Sequence, residues 1–312
     1  MENYPRNLME FEQQFSSEEV CREYLFQLRW PNGFRCPRCQ NQKAWKTSEG
    51  LYYCIKCKYK TSVIAGTIFQ DTSKPLKVWF RAMWYVTNQK HGVSALGLQR
   101  MLGLGSYRTA WSWLHKLRRA MVRPGRDRLS GIVEVDEAYI GGPEPGKRGR
   151  GAAGKALVVI AAQKDGKRIG RIRLKRVADA SAKNLNEAVK YSVETSSIVR
   201  TDDWNGYNQF QKLGYSHEVI RKTSGVGKNL LSSANIVISL LKRWLLGIHQ
   251  GAVKISHFDY YLDEFTFRFN RRTSRSRGKL FYRLVQQAAE VEPLLINNIS
   301  TGRSGNETPH TE

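Results

Sequence analysis

Residues 131–142, GIVEVDEAYIGG, carry the alternation that decides the fold of the larger part of the chain. Val133 and Val135 fall on one side of an extended backbone and Glu134 and Asp136 on the other, the period of two that marks a half-buried strand. Gly141 and Gly142 end the run, and a Gly/Pro/basic stretch continues to Lys155. Two more strand-like runs follow, Ala156–Gln163 and Ile169–Val177. Asp179 and Ser181 then stand where they can cap a helix through Leu185, Ala188 and Val189, and Ser197–Asp202 is again strand-like.

Three antiparallel-looking strands, a helix and a strand are the order expected of an RNase H-like domain, and sequence order alone also fits other α+β folds. Asp136 and Asp202 each end an apolar run in a chain of formal net charge +24. Acidic residues in so basic a background suit divalent cations acting on a polyanion. A two-metal site needs a third ligand from a later helix, and the helical pattern Ser233–Gly247 is where it should lie. No Asp or Glu occurs there. That segment carries Asn235 and, seven residues on, Lys242, which two helical turns bring to nearly the same face. An amide oxygen can coordinate Mg²⁺, without the charge a carboxylate brings; an Asn hydrogen-bonded within a core is the alternative.

Charge and composition narrow the partners. The excess of 51 Lys+Arg over 27 Asp+Glu runs along the whole chain, and 41% hydrophobic residues indicate a folded protein. Distributed basic charge favours nucleic acid through counterion release. An anionic membrane surface would need an amphipathic or lipidated anchor, which is absent from the sequence, and no apolar run approaches the roughly 20 residues that span a bilayer. Met1–Glu12 is polar and acidic, unlike a secretory signal. An intracellular, cytoplasmic protein is therefore expected, in which Asn298 and Asn306 begin Asn-x-Ser/Thr triplets of no consequence.

A reducing compartment also decides the cysteines. Cys36-Pro37-Arg38-Cys39 and Cys54-Ile55-Lys56-Cys57 form two knuckles fourteen residues apart, a spacing that sets four thiolates around one structural Zn²⁺. Trp45, Tyr52 and Tyr53 suit a hairpin between them. Cys21 is expected in the core of a helix near Glu18–Leu28. From Pro75 to Val122 the periodicity is helical: Ser73 is a candidate cap for a helix burying Val78, Trp79, Met83 and Trp84, and a second helix begins at Ser94. Gly103-Leu104-Gly105 breaks it, and Ser106 caps a third bearing Tyr107, Trp111, Leu114 and Leu117. With Arg108, Lys116, Arg118 and Arg119 exposed, this reads as a helix-turn-helix; a three-helix packing module gives the same pattern.

Gly141-x4-Gly146-Lys147 and Gly149-x4-Gly154-Lys155 superficially resemble phosphate-binding loops. Neither lysine is followed by Ser or Thr, and a strand follows where a helix is required, so a basic loop touching DNA is the better reading.

Four motifs in order now resemble the zinc-ribbon insertion-sequence transposases of the DDE superfamily: Val135-Asp136-Glu137-Ala138-Tyr139-Ile140-Gly141-Gly142, Thr201-Asp202-Asp203-Trp204-Asn205-Gly206-Tyr207, Ser239-Leu240-Leu241-Lys242-Arg243 and Tyr261–Arg272. The Cys36–Cys57 ribbon and Ser94–Arg118, with Thr109-Ala110-Trp111, are similar to that family's N-terminal region. The likeness covers about residues 10–285. In many members a Glu stands seven residues before the lysine of the third motif; here it is Asn235, matching the branches with an Asp-Asp-Asn arrangement. Glu264 is the fallback ligand.

The resemblance implies a multidomain α+β chain: an N-terminal helical segment (1–30), a zinc ribbon (31–70), a helix-turn-helix module (73–123), an RNase H-like catalytic domain (129–290) and a polar tail (291–312). It implies Asp136, Asp202 and Asn235 holding two Mg²⁺ or Mn²⁺ ions, and Lys242 on a phosphate beside the scissile bond. Terminal inverted repeats and target DNA are the expected partners, contacted by Arg108, Lys116, Lys242, Arg243, Arg271 and Arg272. A homo-oligomer on paired ends in a prokaryotic nucleoid is expected, without membrane or small-molecule substrate. A DNA-binding regulator with a degenerate nuclease domain, and a nuclease acting on RNA or hybrids, are the competing readings. His217 is a further candidate near the site.

Overall fold

The computed structural model describes residues 2–123, 125–141, 155–221, 231–251 and 253–293. The chain divides into two compact units, residues 1–123 with 274–299, and residues 124–273 with 300–312. The glycine loop at 142–154 and all but the first three residues of the expected tail lie outside the described residues.

The first unit begins with two capped helices. Asn7 accepts from Glu10 N ahead of α1 (Leu8–Gln14), and Ser17 accepts from Val20 N ahead of α2 (Glu18–Arg29), where Cys21 is fully buried. A three-stranded antiparallel sheet follows, β1 (Ala44–Lys46), β2 (Tyr52–Cys54) and β3 (Lys60–Thr61). Phe26, Trp30, Phe34 and Tyr52 stack where α2 meets this sheet, with ring centroids 4.9–5.6 Å apart.

Three helices come next, α3 (Leu76–Asn88), α4 (Ala95–Leu102) and α5 (Tyr107–Ala120). Ser94 and Ser106 are caps as expected; Ser73 is not. Pro75 holds the cap position of α3, since its ring fixes φ near the helical value, and the side chain that reaches the helix start is Glu18, accepting from Lys77 N at 3.1 Å. Gly103, at φ 61°, ends α4 in the left-handed conformation. Trp79 of α3 stacks on Trp113 of α5 at 3.7 Å. Several expectations change here: Tyr107 faces solvent, Val78 and Trp111 are only half-buried, Lys116 and Arg119 are half-buried rather than exposed, and Arg118 is buried at 2% exposure. Arg118 sits one position past Leu117, on the wide apolar arc of α5 that includes Leu114 and Met121.

The second unit is a five-stranded sheet between helices. Its strands are β4 (Ile132–Ile140), β5 (Ala156–Asp165), β6 (Arg168–Val177), β7 (Ile198–Thr201) and β8 (Ser216–Val219), in the spatial order β6-β5-β4-β7-β8. The first three run antiparallel; β7 lies parallel to β4 and β8 parallel to β7. A helix, α6 (Ala182–Ser192), makes the crossover between β6 and β7, capped by Ser181 with Asp179 accepting from Ser181 N. This is the RNase H-like order.

Alternation sorts β4 between two cores. Val133 and Val135 pack with Leu185, Ala188 and Val189 of α6. Ala138 and Ile140 face α7 (Ser232–His249) and α8 (Phe258–Asn270) through Ala234, Val237, Leu241, Leu262 and Phe265. The α7 face of β4 therefore also carries Glu134 and Asp136. Edge strand β6 is sealed by the end of α8: Asn270 both accepts from Ile172 N (2.7 Å) and donates to Ile172 O (3.1 Å).

The last helix, α9 (Arg277–Glu290), belongs to the first unit, which corrects the expected extent of the catalytic domain to residue 290. Phe281 explains why: it is fully buried among Phe11, Phe15, Phe80 and Trp84, with ring centroids 5.4–5.8 Å away.

Candidate active site

The four ribbon cysteines converge. Their sulfurs all lie within 4.8 Å of one another, with Cys36 Sγ to Cys57 Sγ and Cys39 Sγ to Cys54 Sγ both 3.6 Å. A tetrahedral ion with Zn–S bonds of about 2.3 Å asks for sulfurs roughly 3.8 Å apart, so the set fits zinc. Both knuckles are built alike. Gln40 N donates to Cys36 O and Lys58 N to Cys54 O, with Gln40 and Lys58 at φ 61°, while Cys36 N and Cys54 N donate onward to Asn41 O and Tyr59 O. Backbone N–H groups of Cys57 and Lys56 aimed at Cys54 lower its thiol to about 6, towards the thiolate zinc requires.

The acidic site is set by strand register. Ile132, Val133 and Glu134 of β4 pair with Ile198, Val199 and Arg200 of β7. That pairing stops there; Asp136 and Asp202 each follow two residues on, and the Asp202 charge is among those that act on Asp136. Asp202 is exposed just past the end of β7, where its Oδ1 accepts from Trp204 N at 3.2 Å and turns the chain outward. Asp136 is half-buried and accepts from Glu137 N at 2.8 Å. Burial first, then the charges of Glu137, Asp202 and Glu134, push Asp136 up to about 7.

Asn235 lies in the first turn of α7, half-buried, with its amide donating to Leu231 O at 3.0 Å. Among the described residues the four cysteines are the one group of three or more His, Cys, Asp or Glu placed to hold a metal ion. Among the described residues no third His, Cys, Asp or Glu joins Asp136 and Asp202 in such a group. Glu264, the fallback, is 2% exposed on α8 and ion-paired to Arg268 at 2.7 Å.

Two carboxylates escaped the reading of the sequence. Glu134, 3% exposed, accepts from Ser233 N (2.7 Å), Ala234 N (3.1 Å) and Ser233 Oγ (3.2 Å) at the start of α7. Its place on the Asp136 face of β4 was the available signal. Glu137, on the opposite face, accepts from the hydroxyl of fully buried Tyr207, whose own ionisation is pushed well up by burial and by that carboxylate.

The basic candidates divide. Lys242 and Arg243 are exposed on α7 and carry no ion pair among the described residues. Arg108 and Lys116 line a cleft of about 490 Å³ with Lys74, Trp79 and Trp113; Arg108 is exposed, and burial lowers the Lys116 ammonium. Arg271 stacks on Phe267 at 4.1 Å. Arg272 is occupied inside its own unit: it stacks on Phe269 and donates to Gly170 O, Phe269 O and Ile169 O, closing the β6 edge. His217 bonds Thr201 Oγ1 at 2.8 Å beside Phe210, on the α6 face and away from the aspartate face.

An RNase H-like sheet with Asp136 on its first strand and Asp202 just past its fourth, in one chain with a four-cysteine ribbon, fits the transposase class. Residues 128–270 match the ISXO2-like transposase domain and residues 16–60 the transposase zinc-ribbon domain. The chain is accordingly an insertion-sequence transposase joining a zinc ribbon to a DDE-type domain. It is 25% identical over 298 residues to an uncharacterized protein in transposable element ISH50 of Halobacterium salinarum, spanning 88% of this chain and 98% of that one. Two solved structures align at lower similarity: a pre-cleavage Mos1 transpososome (13% identity, 71% of this chain and 79% of that one, TM-score 0.30) and the Mos1 strand transfer complex (12%, 71% and 78%, TM-score 0.27). Likeness at that level adds nothing to the strand order and the domain matches. No helix among the described residues is long and apolar enough to cross a membrane.

Proposed function

We propose that this transposase binds the terminal inverted repeats of its element and cuts and joins DNA at Asp136, Asp202 and Asn235, with two Mg²⁺ or Mn²⁺ ions. The observation that carries the reading is Asp136. A carboxylate raised to about 7 by burial and three neighbouring carboxylates, in a chain of net charge +24, is a site short of positive charge.

Bound divalent ions supply Lewis-acid activation of an attacking oxygen and charge for the leaving one. The residues do the rest. Asp136, Asp202 and the neutral Asn235 amide would hold the ions, so the protein would contribute two negative charges where three are common. In cleavage a water oxygen forms the new P–O bond, its proton goes to solvent, and the 3′-oxygen leaves as a hydroxyl. In joining, that hydroxyl attacks a target phosphorus and a target 3′-oxygen departs, so no covalent protein intermediate is required. Lys242 lies two turns, about 10 Å, along α7 from Asn235 and meets a flanking phosphate as a point charge.

The zinc ribbon and the α4–α5 pair bind the repeats, with Arg108 and Lys116 on groove or backbone and Arg243 and Arg271 on flanking phosphates. Joining two ends calls for a homo-oligomer, acting in a prokaryotic cytoplasm on nucleoid DNA. The test is a reaction of the purified chain with a labelled fragment ending in the element's inverted repeat and a supercoiled target. Joined product in Mg²⁺ and none in chelator is expected. Repeat binding without cleavage would leave only a DNA-binding regulator, and preferential cutting of RNA or hybrids would make it a nuclease.

A further inference from the structure

The start of α7 has a cap that its own sequence does not supply. Leu231 occupies the cap position and makes no side-chain hydrogen bond there. The first N–H groups of a helix have no partner within it, and buried ones must find one elsewhere. Ser233 and Ala234 are both buried, and their N–H groups converge on Oε2 of Glu134, a residue of the adjoining strand ninety-nine positions earlier. Oε1 takes the Ser233 hydroxyl and lies 3.5 Å from Lys164 Nζ. The carboxylate is thus fully engaged, and it sits at the positive end of the α7 dipole.

The consequence concerns two other residues. Glu134 precedes Asp136 by two positions on the same face of β4, and Ala234 directly precedes Asn235. One carboxylate oxygen shared by two consecutive N–H groups, with the other on the Ser233 hydroxyl, fixes both the rotation of α7 and its advance along the strand, which apolar packing of Ala234 and Val237 against Ala138 fixes less sharply. We propose that Glu134 is a positioning residue: by holding the first turn of α7 it sets the distance and orientation of the Asn235 amide relative to Asp136. It holds no metal itself, since its oxygens are spent on the helix. An amide brings no charge to draw a cation into place, so its position matters more than a carboxylate's would.

This inference rests on the metal site proposed above, and the experiment separates the two. Glu134→Gln keeps the shape but removes the charge and one of the two acceptor oxygens; Ser233→Ala removes only the hydroxyl bond. Three quantities are measured on the full chain: hydrogen exchange of amides 231–238, Mn²⁺ binding by electron paramagnetic resonance, and Mg²⁺-dependent strand transfer. Glu134→Gln should raise exchange in 231–238 about tenfold and weaken Mn²⁺ about tenfold, the loss ordinarily seen when a group behind a metal ligand is removed. Exchange in the ribbon and affinity for inverted-repeat DNA should not change. Ser233→Ala should shift both quantities about threefold in the same direction, and it decides alone if Glu134→Gln fails to fold. Wild-type Mn²⁺ affinity in both folded variants overturns the positioning role while leaving the metal site intact. A wild-type chain that binds no Mn²⁺ and joins no DNA overturns the proposed function, and the role of Glu134 with it.

Discussion

Asp202, just past the end of β7, lies close enough to Asp136, in the middle of β4, for its charge to help raise the Asp136 carboxyl, and the β4–β7 pairing that stops with Glu134 opposite Arg200 leaves each of them two residues further along. Carboxylates brought near one another favour a proton or a cation between them. Asp136→Asn and Asp202→Asn should each reduce strand transfer by at least about 10³-fold, since charge stabilisation by a bound metal is worth several kcal/mol. Repeat binding, measured by gel shift, should be unchanged. Loss of binding with loss of activity would make these residues structural.

The pH dependence follows from the direction of one shift. Asp136 titrates near 7 in the folded chain against an ordinary value near 4, so the folded metal-free protein binds the proton more tightly than the unfolded one. Its contribution is therefore a penalty, absent below about pH 4, growing between 4 and 7 and complete above 7, on the order of 4 kcal/mol at most. Thermal melts without divalent metal should fall over that window and fall less in Asp136→Asn. Metal must displace the proton, so Mn²⁺ affinity should drop about tenfold per pH unit below 7. A flat affinity between pH 5.5 and 7 would remove Asp136 from the metal site.

Zinc should be present at one ion per chain and vanish in Cys54→Ser. Without it the short strands β1–β3 have little apolar area to hold them, and Tyr52 should leave its stack with Phe26 and Phe34. Chelation should lower the melting temperature and abolish repeat binding. A chelated protein that binds repeats with full affinity would show that the ribbon has no part in recognition.

Phe281 makes the last helix part of the first unit. Phe281→Ala should cost about 3–5 kcal/mol, as removal of a fully buried ring ordinarily does. Denaturant unfolding followed by tryptophan fluorescence reads it directly, because Trp84 is in contact. A cost below about 1 kcal/mol would contradict the packing.

Strand alternation around Asp136, the cysteine spacing and the Ser94, Ser106 and Ser181 caps are written in local pattern, and the structure has them where the pattern puts them. What local pattern does not carry is the choice of partner. The periodicity of α9 says which face is apolar, not that Phe11 and Phe80 cover it. Arg118 and Arg272 read as solvent-facing charges, yet one is buried in α5 and the other is spent on backbone carbonyls. Strand β8, four residues of which two are charged or ionisable, has no apolar signal and exists because Thr201 and its neighbours pair with it. Asn235 stood out through the helix face it shares with Lys242, and the family's motif spacing, not local pattern, favoured a ligand over a core hydrogen bond. Glu134 could be seen to share a face with Asp136, but that α7 would be capped from a distant strand is a tertiary fact.

The central claim is spatial: Asp136, Asp202 and Asn235 share one pair of cations. It is tested most directly by replacing Mg²⁺ with Fe²⁺ and ascorbate, which cuts the polypeptide next to a bound ion, and mapping the cuts by mass spectrometry. Cleavage near 136, 202 and 235 together, competed away by Mg²⁺, is the predicted result. Cuts at one of the three alone, or none that Mg²⁺ suppresses, would contradict it.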